Sequence, residues 1–88
     1  LKDAKIPEDK NVEKIAAGAF MYQSDLQEIK IPKNIKTIGY NAFASTGLKK
    51  VELGEGLETL DLYAFGFNEE MQTLTIPKSV KNSLRIKY

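Results

Sequence analysis

The sequence predicts an α/β solenoid, a coil in which each turn contributes a short parallel strand and one helical or 3₁₀ turn. The first observation is that the dipeptide Ala-Phe occurs three times, ending at Phe20, Phe43 and Phe65, with spacings of 23 and 22 residues. The second is that the apolar residues between these dipeptides keep the same period. A unit of 22–23 residues is too short to bury its apolar face alone, so about three to four units are expected to stack around one core.

Seven apolar positions recur between the two complete units without an insertion. They are Leu26, Ile29, Ile31, Ile35, Ile38, Ala42 and Phe43 in one unit, and Leu48, Val51, Leu53, Leu57, Leu60, Ala64 and Phe65 in the next. An earlier unit has two extra residues between Ile6 and Val12, and a later unit loses the pattern at Ser83. The sequence therefore predicts a single domain, 1–88, built from repeats 1–25, 26–47, 48–70 and 71–88.

Each unit begins with a short predicted strand that ends at a corner. Apolar and polar residues alternate over the segment Ile29–Ile31, as in a strand with one face turned inward. Pro32 follows this strand, and Gly54 and Pro77 occupy the equivalent position in the next two units. Because both residue types interrupt strands and favour turns, the three segments are predicted to form the same corner.

The second half of each unit is predicted to complete the core. After the corner, Ile35 and Ile38 lie three residues apart, which is compatible with an extended or a 3₁₀ segment. The Ala-Phe pair follows in about one predicted helical turn, where the small Ala allows a close approach to the sheet. We expect Phe20, Phe43 and Phe65 to stack in one column, each contributing about 1.5 to 3 kcal/mol through burial.

The composition argues against several classes of function. The 88 residues include neither Cys nor His, so the chain lacks the residues of Ser/His and Cys/His catalytic pairs and of thiolate or imidazole metal sites. With 13 Lys and Arg against 12 Asp and Glu, the net charge of +1 gives no strong attraction for nucleic acid. The longest uncharged apolar run, Ile15–Tyr22, is far shorter than the roughly 20 residues of a membrane-spanning helix. We therefore predict a non-enzymatic chain with no cofactor, metal, nucleic-acid partner or membrane span.

Charged residues of opposite sign alternate between neighbouring units. Lys30 is expected beside Glu52, and Lys36 and Lys81 on either side of Glu58. One interpretation is a set of exposed ladders that keep the units in register and the chain soluble. Another is that an acidic band of the third unit docks a partner of complementary charge, whereas calcium is disfavoured because lysine layers flank the carboxylates. The band comprises Glu52, Glu55, Glu58 and Asp61.

Four aromatic residues lie close to the Ala-Phe turns in the sequence. They are Tyr22, Tyr40, Tyr63 and Phe67. They either pack flat against the next unit or form an exposed surface for a partner. Phe67 is the most informative, because Tyr22 and Ser45 at the equivalent position are less apolar. Together with the acidic band, Tyr40, Tyr63 and Phe67 are the candidate partner-binding residues.

The pattern LxxIxIPxxIxxIGxxAF, which the chain shows over residues 26–43, resembles the BspA-like class of bacterial leucine-rich repeats. The similarity extends over essentially the whole chain and implies a right-handed leucine-rich-repeat solenoid. The chain departs from the family pattern where Gly39 becomes Asp61 in the next unit and where the last unit lacks Ala-Phe. The family also often has a Cys shortly after Ala-Phe, where this chain has Gln23, Thr46 and Asn68.

The resemblance implies a protein-binding or adhesion module of a bacterial cell-surface or secreted protein, with a host extracellular-matrix or cell-surface protein as partner. We expect the chain to be a monomeric piece of a longer surface protein, in which a final strand over Leu84, Ile86 and Tyr88 either closes the stack or begins a following segment. The alternative is a structural spacer of such a protein with no ligand of its own. A third hypothesis, an enzyme using either Glu69 and Glu70 or Asp61, would need a deep polar cleft.

Overall fold

The computed structural model of the chain describes residues 3–61 and 63–81, which wind into about three turns of a coil. The strands of these residues form two parallel sheets. In the first sheet the order is β1 (Asp3–Lys5), β3 (Glu28–Ile31), β5 (Lys50–Leu53) and β7 (Thr73–Leu74). In the second it is β2 (Lys14–Ile15), β4 (Thr37–Ile38) and β6 (Thr59–Leu60). The third side of the coil consists of the Ala-Phe turns.

The predicted parallel strands and their register are confirmed. In β3 the side chains alternate between exposed and buried, because one face of the strand is turned to the core. Strand β5 pairs with β3 so that Lys50 lies beside Glu28 and Glu52 beside Lys30. The repeat period therefore aligns equivalent residues on adjacent turns of the coil.

The corner and the segment after it are also shared between turns. Each corner closes through a backbone hydrogen bond, from Ile35 N to Pro32 O at 3.2 Å in one turn and from Leu57 N to Gly54 O at 3.3 Å in the next. Of the two conformations predicted for the segment after the corner, the extended one is present. It forms β4 and β6, which place Ile38 and its equivalent in the core.

The predicted helical or 3₁₀ turn around Ala-Phe is wrong, since no helix occurs within residues 3–61 and 63–81. Successive backbone amides of this segment donate hydrogen bonds to acceptors on different turns. Ala42 N donates to Gly39 O of its own turn, whereas Phe43 N donates to Ala64 O of the adjacent turn. Asn41 and its equivalent in the next turn also have positive φ angles. A left-handed residue cannot continue a right-handed helix, so the segment forms a hydrogen-bonded turn instead.

The predicted column of phenylalanines is confirmed. The rings of Phe20 and Phe43 stack with centroids 5.0 Å apart and planes 2° from parallel, and those of Phe43 and Phe65 stack at 5.1 Å and 5°. Phe43 is fully buried and Phe20 only partly so. The buried aliphatic residues of both sheets surround this column, which makes a single core.

The two extra residues of the first unit form a loop that the next turn holds in place. The side-chain amide of Asn34 donates to the carbonyls of Pro7 and Asp9 at 3.0 Å and of Val12 at 2.7 Å. The insertion therefore leaves the register of the strands unchanged. The predicted final strand over Leu84, Ile86 and Tyr88 lies outside the described residues.

Candidate interaction surface

Three of the aromatic candidate residues come together on the Ala-Phe side of the coil. The ring centroids of Tyr40 and Tyr63 are 6.4 Å apart in an edge-to-face arrangement, and those of Tyr63 and Phe67 are 5.5 Å apart. Tyr40 is 49% exposed and Phe67 is 67% exposed, while Tyr63 is half-buried between them. We call these three rings the aromatic ridge. The rings contact one another and still present a large part of their surface to solvent.

Tyr22 stands outside the ridge. Its backbone N donates to Ala44 O of the next turn at 3.0 Å, so it occupies the position equivalent to Ser45 and Phe67. With 71% of its surface exposed, it is the most exposed of the large apolar side chains in the described residues. The sequence placed four aromatic residues near the turns, and the fold brings three of them into mutual contact.

Two positions of every Ala-Phe turn have a left-handed backbone. The first is occupied by Gly18, Asn41 and Tyr63 in successive turns, with φ angles of 70°, 58° and 59°. The second is occupied by Tyr22, Ser45 and Phe67, with φ angles of 67°, 55° and 59°. This conformation suits Gly and Asn, and it costs other L-residues about 1 to 2 kcal/mol. Both Tyr63 and Phe67 therefore hold their rings in place at a conformational cost.

The neighbouring Gly66 makes room for the ridge. A Cβ atom at Gly66 would lie 2.9 Å from Tyr63 Cβ and 3.1 Å from Tyr63 Cδ1. These distances are too short for carbon atoms of a side chain in van der Waals contact. A larger residue at this position would displace the ring of Tyr63 from the ridge.

A buried polar network anchors the chain next to Phe67. Asn68 is 2% exposed, and its Oδ1 accepts hydrogen bonds from the backbone N and the hydroxyl of Thr46. Its Nδ2 donates to Phe43 O at 2.9 Å and to Phe65 O at 2.7 Å. Because two of its partner residues belong to the adjacent turn, Asn68 ties together the two turns that carry the ridge.

In the sequence, Thr46 and Asn68 stand out only as departures from the family pattern, which assigns them no role. Their spacing nevertheless indicates a structural role, because the two polar residues occupy equivalent positions 22 residues apart and lie beside residues of the core. Polar groups at such positions must find hydrogen-bond partners when they are buried. Their pairing with each other follows from the stacking of equivalent positions.

The acidic band is distributed over two sides of the coil. Glu52 and Glu55 line an open groove of about 1170 Å³ on the outer face of the first sheet. Glu58 and Asp61 lie away from this groove, since Glu58 precedes β6 and Asp61 follows it at the start of the Ala-Phe turn. The fold thus brings Glu52 and Glu55 to one groove and separates them from the other two acidic residues.

Lysines accompany the band on the neighbouring turns. Lys30 Nζ lies 3.7 Å from Glu52 Oε2, and both side chains are more than 70% exposed. Lys36 O accepts a hydrogen bond from Glu58 N, and Glu58 O accepts one from Lys81 N, each at 2.8 Å. Exposed pairs of this kind contribute about 0 to 1 kcal/mol each. The band is therefore partly neutralised by its surroundings.

Opposite charges face each other between β3 and β5, but this alternation does not extend to β1 in the first turn. Asp3 pairs with Glu28 and Lys5 pairs with Lys30, so like charges lie side by side between β1 and β3. The outer face of the first sheet consequently has acidic and basic pairs of residues next to each other, with no single sign along its length.

Glu69 and Glu70 are both exposed to solvent. Among the residues that the structure describes, no group of three Asp or Glu side chains is placed to hold a metal ion. In that part of the chain no helix has the length and hydrophobicity to cross a membrane.

Two solved structures resemble this fold. A leucine-rich repeat protein from Bacteroides capillosus is 30% identical, with a TM-score of 0.84 over 96% of this chain and 67% of its own. The T. pallidum leucine rich repeat protein TpLRR is 27% identical, with a TM-score of 0.76 over 80% of this chain. This chain spans 33% of the length of TpLRR. No curated protein matches the sequence.

The period, the Ala-Phe turns and the paired parallel strands agree with one family model. The model of the BspA type leucine rich repeat region (6 copies) matches residues 1–85. The chain belongs to the BspA type leucine-rich repeat family.

Proposed function

We propose that this chain is a non-catalytic protein-binding module of a bacterial surface or secreted protein and that the aromatic ridge contacts the partner. Leucine-rich repeats generally mediate protein interactions, and the BspA type is a bacterial, typically surface-associated family. The partner in this proposal is a protein of the host extracellular matrix or of a cell surface. Tyr, the residue type of two of the three ridge rings, is enriched together with Trp and Arg among the residues that dominate the binding energy of protein interfaces.

The observation that carries the proposal is the backbone conformation under the exposed rings. Tyr63 and Phe67 occupy left-handed positions at which Gly18 and Ser45 show that small residues are compatible with the same turn. An exposed Phe at such a position does not stabilise the fold through burial and adds conformational strain. Strained residues of this kind persist where function requires them. Binding to a partner would account for the exposed rings, whereas the stability of the fold does not.

The test compares binding by the full chain and by two variants. The purified protein is immobilised and exposed to solutions of extracellular-matrix proteins and to suspended host cells. One variant, Tyr63→Gly/Phe67→Gly, removes two ridge rings while restoring the residue type that the backbone favours. The other, Glu52→Gln/Glu55→Gln/Glu58→Gln, changes the acidic band and leaves the ridge intact. Circular dichroism confirms that both variants fold.

We expect the ridge variant to bind at least about tenfold more weakly, because hot-spot aromatic residues contribute about 2 kcal/mol or more each. The acidic-band variant is expected to bind within about twofold of the parent, because exposed charges contribute little. Equal binding by the parent and the ridge variant would contradict the role of the ridge. If the parent captured no protein and no cells, the chain would be a structural spacer instead.

A further inference from the structure

The Ala-Phe turns of the three described units form one continuous edge of the coil. Phe20 N donates to Ala42 O and Phe43 N donates to Ala64 O, each at 2.7 Å. The segments 16–25, 39–47 and 61–70 are thereby held side by side. The aromatic ridge and Tyr22 all belong to this edge.

The edge differs in charge from the rest of the chain. The three segments contain no Lys or Arg, whereas all ten lysines of residues 3–81 lie outside them. Segment 61–70 contains three acidic residues, all of them exposed. Asp61 is two residues before Tyr63, and Glu69 and Glu70 follow Phe67 by two and three residues.

The acidic residues of this edge differ from Glu52 and Glu58 in their neighbours. Glu52 has Lys30 beside it on the adjacent turn, and Glu58 lies between two lysines. The position aligned with Asp61 is Gly39, whose segment has no charged residue. Within the described residues, the adjacent Ala-Phe turn has no lysine to compensate the negative charge of segment 61–70, and this charge accompanies exposed aromatic rings.

From this combination we infer that the partner presents Lys or Arg side chains to the aromatic ridge, an inference that rests on the proposed function. Tyr and Phe faces attract cationic groups, and the guanidinium group of Arg also stacks on aromatic rings. Carboxylates next to the rings attract the same groups and repel phosphate-rich partners. The edge therefore selects a basic polypeptide segment over an acidic segment or an anionic membrane.

The experiment uses three synthetic peptides of equal length and the isotope-labelled full chain. The first is a Gly/Ser peptide with Arg at every third position, the second has neutral citrulline in place of each Arg, and the third has Glu. Amide chemical shifts are followed during titration at low salt and at high salt. The chain variants are Phe67→Gly, Asp61→Asn/Glu69→Gln/Glu70→Gln, and the matched control Glu52→Gln/Glu55→Gln/Glu58→Gln.

We expect the Arg peptide alone to shift the amides of segments 39–47 and 61–70, with an affinity that falls as salt is added. Phe67→Gly and the Asp61/Glu69/Glu70 variant should each lower the affinity for the Arg peptide about three- to tenfold. This is the size of effect expected from losing one cation–π contact or a few partly desolvated charges. The control, which removes the same number of charges elsewhere, should change the affinity less than twofold.

Three outcomes would overturn the inference. The first is equal shifts of the edge amides by all three peptides, which would leave the ridge as a binding surface and remove its preference for cations. The second is an equal loss of affinity in the control variant, which would assign the effect to net charge. The third is no shift at the edge with the Arg peptide, in which case the adhesion test above decides the proposed function separately.

Discussion

At the scale of single residues, the left-handed positions connect the fold to the surface. Asn41 and Ser45 occupy them in one turn with small side chains, whereas Tyr63 and Phe67 occupy them in the next. The turn is therefore compatible with several residue types, and the aromatic ones are the least favourable for the backbone. Gly18 and Asn41 indicate a left-handed position at the site equivalent to Tyr63, but the aromatic residues themselves do not, because they do not normally adopt positive φ angles.

Replacing Phe67 separates strain from packing. In Phe67→Ala the strain remains and the ring contact with Tyr63 is lost, whereas in Phe67→Gly the strain is also relieved. We expect the Gly variant to be about 1 kcal/mol more stable than the Ala variant, since the left-handed cost of about 1 to 2 kcal/mol exceeds the added entropy of unfolded Gly. Urea unfolding measures both free energies. An Ala variant as stable as the Gly variant would show that position 67 is unstrained.

At the scale of elements, the turns rather than the strands determine how the ridge is held. Strands β4 and β6 are two residues each, so much of the connection between adjacent turns comes from backbone and side-chain hydrogen bonds in the Ala-Phe segments. Asn68 makes four hydrogen bonds at a buried position, two as donor and two as acceptor, and three of them reach the adjacent turn.

We expect Asn68→Ala to lower the free energy of unfolding by about 3 kcal/mol, because it leaves Thr46 N and the carbonyls of Phe43 and Phe65 buried with a lost partner. The control is Asn34→Ala, which also removes bonds between adjacent turns. Its partners are exposed or partly buried, so water replaces them and the expected loss is about 1 kcal/mol. Chemical denaturation measures the free energy of unfolding of both variants. Equal losses would contradict the idea that burial makes the hydrogen bonds of Asn68 more important than those of Asn34.

At the scale of the whole molecule, the coil is a stack in which each described strand contacts only the strands of the adjacent turns. The free energy of unfolding is then a sum over the interfaces between neighbouring turns. A residue in a middle turn contributes to two such interfaces, whereas a residue in an end turn contributes to one. In the phenylalanine column Phe43 stacks on two rings and Phe20 on one.

We therefore expect Phe43→Ala to cost about 3 to 5 kcal/mol, as for a fully buried Phe, and Phe20→Ala to cost about half as much. Phe20 is partly exposed, so less apolar surface is lost and water reaches the space that the ring vacates. Thermal and urea unfolding measure the two losses. A larger loss at Phe20 would contradict a stack whose contacts are strongest in its middle.

Two parts of the candidate surface were predictable from the sequence to different degrees. The aromatic residues near the turns were visible because the Ala-Phe period places them in equivalent segments. The contacts between their rings could not be predicted. Tyr63 lies between Tyr40 and Phe67 because of the side-chain directions at the left-handed positions. The sequence predicts one acidic surface, but the fold divides it, because Glu55 and Asp61 lie on different sides of the turn.

Equal spacing in a coil places equivalent residues on top of one another, so the repeat period is enough to predict the register of the strands and the phenylalanine column. The same period does not distinguish a hydrogen-bonded turn from a helix at Ala-Phe, nor does it show that Asn68 bridges two turns. Both depend on stacking, because amides such as Phe43 N find their acceptors on the adjacent turn. Local sequence preferences carry no information about an acceptor that arrives only when the next turn is stacked.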